Sequence, residues 1–150
     1  MESMFKTLGS WLFFIGIIVA ILVGLVFGIG FSFDATNANL INMAAPLGAI
    51  VAVLGFLVGI LSFFALGTIT HERIPTFLIG SLALVVIGAT SSLWSTTWVF
   101  GEWTGLATFF QNIAMYLAIF VAPAAGLLAI RAVWDAGKSE TIEKIMPKIK

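Results

Sequence analysis

Residues 11–31 read WLFFIGIIVAILVGLVFGIGF, an apolar run without one ionisable side chain. A helix needs about 20 such residues to cross roughly 30 Å of hydrocarbon, and within lipid a lone segment satisfies its backbone polar groups only as a helix. The run therefore predicts a membrane span. Along it Gly16, Ala20, Gly24 and Gly28 recur at every fourth position. Small residues so spaced form one smooth stripe on which another helix backbone can come close. Lys6 precedes the run as in a signal peptide, but 11–31 exceeds the roughly 7 to 15 residues of a signal core, so the segment is read as a lasting helix.

Outward from this run, charge is scarce. The 150 residues are 61% hydrophobic and 9% charged, with Lys+Arg 7 and Asp+Glu 7. A soluble domain carries roughly 25% charge, so this chain has too little to coat a water-facing surface. Soluble enzymes and disordered chains are excluded. The ionisable residues Glu2, Lys6, Asp34, Glu72, Arg73, Glu102 and Arg131, with a cluster from Asp135 to Lys150, leave four long uncharged stretches. Helices are expected at 10–31, 46–69, 75–94 and 111–133, with Pro46 and Pro75 in first turns, where a proline forfeits no helical hydrogen bond. The fold class is all-α: a polytopic membrane protein, a four-helix transmembrane bundle with a short C-terminal amphipathic helix. The spans occupy 1–134 and the tail 135–150.

All seven Lys and Arg fall on one side of a four-span chain: Lys6, Arg73, Arg131, Lys138, Lys144, Lys148 and Lys150. By the positive-inside rule both termini face the cytoplasm, and the segments 33–39, rich in Asn, and 94–110, rich in Trp, face outward. The second of these carries Trp94, Trp98, Phe100, Trp103, Phe109 and Phe110. Trp94, Trp98, Trp103 and Trp134 suit the headgroup layer, and Arg131, about one turn from a helix end, can snorkel to it. A multi-pass protein of the cell membrane is expected.

Other spans carry small residues too. Ala114, Ala118, Ala122 and Gly126 repeat every fourth position in the last span, while Gly48, Ala52, Gly55 and Gly59 follow a 4-3-4 spacing in the second. That spacing favours a left-handed crossing near +20°. Ser81, Gly88 and Ser92 make a weaker set in the third. Pro123, inside the last span, removes a backbone bond and can kink the helix there.

Chemistry is where the sequence is poorest. Buried ionisable groups mark function in membrane spans because they are expensive, and no Asp, Glu, Lys, Arg or His falls near the middle of any expected span. A proton-coupled exporter of four-span type would carry a membrane carboxylate; here Glu72 and Glu102 lie in loops. Without cysteine there is no thiolate metal site or disulfide, and the lone His71 lacks partners for a metal. Zero net charge without a basic run argues against nucleic acid. No catalytic, cofactor-binding or metal residue is expected, and the chain is not read as an enzyme. The hydroxyl and amide residues Ser62, Thr68, Ser81, Thr90, Ser91, Ser92, Gln111, Asn112 and Tyr116 gather toward one end and draw no continuous polar path.

After Trp134, residues 138–150 are expected to form a short amphipathic helix, with Ser139 as N-cap and Ile142, Ile145, Met146 and Ile149 at i, i+3, i+4 and i+7. It would lie on the inner leaflet or against a neighbouring subunit.

The runs WLFFIGIIVAIL from Trp11, LGFLVGIL from Leu54 and FVAPAAGLLAIR from Phe120 resemble the first, second and fourth spans of small four-span proteins of archaeal genomes, a family without an assigned activity. The tryptophan-rich segment departs from that group. The resemblance implies an archaeal cytoplasmic membrane and carries over no functional residue. From the residues themselves, the expected function is structural: a homo-oligomer, or an accessory subunit of a larger membrane complex, packing through small-residue helix faces in contact with lipid. The alternative is a channel or facilitator for a small uncharged solute, its selectivity set by pore size and lining hydroxyls.

Overall fold

A computed structural model describes the backbone of residues 2–64, 74–95 and 103–145, and the side chains of 7–8, 11–64, 75–94 and 103–137. Four helices make up nearly all of it: α1 (Glu2–Phe33), α2 (Ala38–Phe63), α3 (Ile74–Thr90), continued by a 3-10 turn over Ser91–Ser95, and α4 (Thr104–Ile145). Each holds a segment long and apolar enough to cross a membrane: Trp11–Phe33, Ala38–Phe63, Pro75–Trp94 and Thr104–Gly137. The chain is a four-span, all-α polytopic membrane protein.

Several helix ends differ from the expectation, each for a local reason. The Asn-rich segment is a cap rather than a long loop: Asn37 Oδ1 accepts from the Asn39 and Leu40 amides at 3.1 and 3.4 Å, satisfying donors left orphaned at the start of α2. Before it, Asp34 Oδ1 accepts from the Thr36 amide and hydroxyl at 3.0 and 2.8 Å, closing the turn. Consequently α2 begins at Ala38 and Pro46 lies inside the helix, not in its first turn, leaving the Asn42 carbonyl without its helical donor. Pro75 keeps the first-turn place expected of it. The fourth helix starts at Thr104, so Phe109 and Phe110 are helical rather than part of the outer loop.

α4 also runs 42 residues without a break, about 63 Å at 1.5 Å per residue, roughly twice the hydrocarbon thickness. Its backbone continues through Ser139 to Ile145, so Ser139 caps nothing and no separate amphipathic tail helix is present among the described residues. Residues 146–150, Trp98, His71, Glu72, Arg73 and Glu102 lie outside the described residues.

α4 is the helix on which the others meet. α1, α2 and α3 all pack along it and α1 also packs on α2, whereas among the described residues no Cα of α3 comes within 8 Å of α1 or α2. The glycine contacts give the directions. Gly16 lies against the Phe120 ring and Gly28 against Phe109, so α1 is antiparallel to α4; Gly55 lies against Phe120 and Gly59 against Ala124, so α2 is parallel to it. The core fills the angle between them with Ala20, Phe27, Val51, Val58, Tyr116, Phe120, Val121 and Ala124. A second, smaller cluster has Leu128 of α4 fully buried against Phe77 and Leu78 of α3.

Candidate functional site

Among the described residues, side-chain identity is most tightly constrained along the seams of α4. In water the apolar effect would decide them, but lipid tails already satisfy apolar side chains, so close packing and hydrogen bonds remain as the attractive terms. A Cβ built on Gly24 would stand 2.7 Å from the Ile113 Cα, one on Gly28 would stand 2.9 Å from the Phe109 carbonyl oxygen, and one on Gly59 2.8 Å from the Ala124 Cα. On Gly55 it would fall on the Phe120 carbonyl oxygen, and on Gly88 of α3 it would fall on the Ala118 Cβ. These neighbours are backbone or a methyl joined to it, so they cannot swing aside. In α1, Gly16, Ala20, Gly24 and Gly28 are all buried, which puts the whole four-residue stripe against the protein.

The other two sets are divided. In α2 the buried line is Val51, Gly55, Val58, Gly59 and Ser62, displaced from the expected one: Ala52 is half-buried, and a Cβ on Gly48 would meet only the Tyr116 ring at 3.9 Å. In α4 the Ala114 carbonyl and Ala118 face Gly88 of α3, while Ala122 and Gly126 are exposed and nothing lies within 4 Å of a Cβ on Gly126. What fills the α1 and α2 seams from the α4 side is instead Tyr116, Phe120 and Ala124. Bulky residues on α1 take part as well: Phe13 packs its ring 6.0 Å from Phe120 and 6.2 Å from Phe77 of α3, centroid to centroid.

Three polar features stand out among the apolar contacts. The first is Tyr116, the single tyrosine of a chain with 14 phenylalanines. Its ring stacks on Phe27 at 5.4 Å with 17° between planes, and its hydroxyl donates to the Ala44 carbonyl of α2 at 3.4 Å. One residue thus touches both α1 and α2. The second is the set of buried hydroxyls: Ser81 donates to the Leu78 carbonyl at 3.0 Å and Ser91 to the Gly88 carbonyl at 2.6 Å. Both turn back on their own helix, which is how serine is commonly satisfied in a membrane helix.

The third is Arg131. Its Nη1 donates to the Ser62 and Phe63 carbonyls at 2.7 and 2.6 Å, in the last turn of α2, where a helix leaves carbonyls without helical donors. A cation there also meets the negative end of the α2 dipole. Asp135, one turn on, stands 3.6 Å from Arg131 Nε and helps to orient the guanidinium. Sequence reasoning puts Arg131 at the membrane edge but finds it no partner; its partners are nearly 70 positions away and, being backbone carbonyls, leave no side-chain signal.

The aromatic residues assigned to the interface divide likewise. Trp103 and Trp134 are exposed and Trp94 is half-buried in the 3-10 turn. Pro123 lies inside an unbroken α4, between the Phe120 and Ala124 contacts with α2. Among the described residues no three His, Asp or Glu side chains come together in a way that could hold a metal ion.

No protein-family model matches this chain, and neither the curated proteins nor the solved structures give a significant match.

Proposed function

We propose that the chain is a structural, assembly-forming membrane protein, a homo-oligomer or an accessory subunit of a larger complex, lying in the cell membrane with both termini cytoplasmic. The observation that carries this reading is the division of the α4 small-residue set. Ala114 and Ala118 serve α3, whereas Ala122 and Gly126 remain exposed with open space above Gly126. A smooth stretch left over after the internal seams are filled is the kind of surface on which a further helix packs closely.

The solute-channel reading draws no comparable support. Phe27 and Phe120 are fully buried where α1, α2 and α4 meet, and the hydroxyls of Ser81 and Ser91 are occupied by carbonyls of their own helix.

The test is the mass and composition of the particle extracted from its own membrane with surrounding lipid, for the natural chain and for Gly126→Leu. The natural chain is expected in a particle holding further copies or other polypeptides. Gly126→Leu is expected to release a folded single copy, since a Cβ there meets no atom of the chain within 4 Å. A natural particle holding one copy and lipid alone would refute the proposal.

A further inference from the structure

We infer that Arg131 is a latch whose release opens the helices at one end only, letting the C-terminal turn of α2 swing away from α4 about a pivot at Gly59. The attachments of α2 to α4 differ in kind along its length. Toward its N-terminus and middle, α2 is held by backbone approach and apolar packing, at Val51, Gly55, Val58 and Gly59, and by the Tyr116 hydroxyl on Ala44. Beyond the buried Ser62, the bonds that tie its last carbonyls to α4 come from the guanidinium of Arg131.

That guanidinium is well placed to hold and to let go. Its side chain is 18% exposed and Asp135 beside it 34% exposed, so the pair sits at the rim of the protein rather than sealed within it. Hydrogen bonds from an ionised donor are about twice as strong as neutral ones, and two of them on one nitrogen fix both the end of α2 and its rotation. α1 packs on α2, but among the described residues no Cα of α2 lies within 8 Å of α3, so α2 has no support from α3.

The pivot follows from the last close contact before the C-terminal turn. A Cβ on Gly59 would stand 2.8 Å from the Ala124 Cα, and helices that touch at a glycine can rotate about that point while their ends part. With the latch closed, α2 ends firmly at Phe63 and Phe64, whose amide reaches the Ile60 carbonyl at 3.1 Å. With it open, the last turn loses the guanidinium bonds to the Ser62 and Phe63 carbonyls and is the first part of the bundle to move. The latch is independent of the assembly role proposed above.

The chain has no cysteine, so introduced thiols are unique sites for spin labels in the full-length protein in bilayers. One label pair at Phe64→Cys and Val133→Cys reports the latched end, and another at Phe33→Cys and Leu106→Cys reports the opposite end; all four positions are exposed. In Arg131→Met the distance distribution of the first pair is expected to broaden by about twofold or more, as for a local opening, with the second pair unchanged. Arg131→Lys, which offers a point charge in place of the planar fork, is expected to fall between. Broadening of both pairs together would make Arg131 a general support and overturn the latch; so would no broadening of the first pair.

Discussion

Replacing Gly55 by alanine adds one methyl group at the glycine with the least room among the described residues. A Cβ there would stand 2.8 Å from the Phe120 carbonyl carbon and 3.3 Å from its Cα, besides falling on the oxygen. Carbon atoms attract best at about 3.5–4.0 Å, so α2 and α4 must separate by about 1 Å locally. A gap of that order forfeits a quarter to a half of the dispersion energy of the atoms facing it. Taking roughly 50 facing atom pairs between Val51, Val58, Gly59, Phe120 and Ala124, at about 0.1–0.2 kcal/mol each, the loss is about 1–5 kcal/mol. Better helix propensity returns up to about 1 kcal/mol. The net is a destabilisation of about 2 kcal/mol, within the ordinary range for overpacking, or about a 30-fold rise in the unfolding constant. Reversible unfolding in mixed micelles or bicelles measures it, with Gly80→Ala as the reference because nothing lies within 4 Å of a Cβ there. That variant is expected to be neutral or up to about 1 kcal/mol more stable. Equal stability of the two variants would refute the reasoning that backbone approach at Gly55 holds α2 on α4.

Other consequences follow from the same geometry. Gly24→Leu, aimed at the Ile113 backbone, is expected to prevent folding or lower the melting temperature sharply, while Leu25→Ile, half-buried beside it, changes little; thermal scans in detergent distinguish them. Tyr116→Phe keeps the stacking on Phe27 and loses only a 3.4 Å hydrogen bond, so the expected cost is at most about 1 kcal/mol in the same unfolding assay. Phe120→Ala removes the fully buried ring that Gly16 and Phe13 pack against, and should cost about 3 kcal/mol or more by the usual large-to-small penalty.

The uncharged stretches and the four spans are legible in the sequence because the cost of charge in hydrocarbon leaves a strong linear signal. The stripe from Gly16 to Gly28 is legible too, since glycine or alanine at every fourth position marks a face. Which face of α2 or α4 packs is not: these helices are apolar nearly all round, so no contrast between polar and apolar sides points to the core. The buried line of α2 accordingly runs through Val51 and Val58, β-branched residues that lipid would accept equally well. Asn37 as a cap escapes a reading that starts α2 at its proline, because Pro46 is as compatible with a first turn as with a membrane helix whose neighbours cover the freed carbonyl. The reach of Arg131 to carbonyls of a distant helix has no counterpart in side-chain pattern, and neither does the central place of α4, which depends on how three stripes choose one partner.

That central place is the claim on which everything else depends, and disulfide trapping in the native membrane tests it directly. Two cysteines join only when their Cα atoms lie within about 7 Å. The pair Ser32→Cys with Gly105→Cys, across the α1 and α4 seam where a Cβ on Gly105 would stand 3.5 Å from the Ser32 Cβ, is expected to cross-link rapidly on mild oxidation. The pair Leu57→Cys with Leu82→Cys, on α2 and α3, which do not approach within 8 Å, is expected to stay reduced. Cross-linking of the second pair within one chain as readily as the first would contradict the arrangement of three helices on α4.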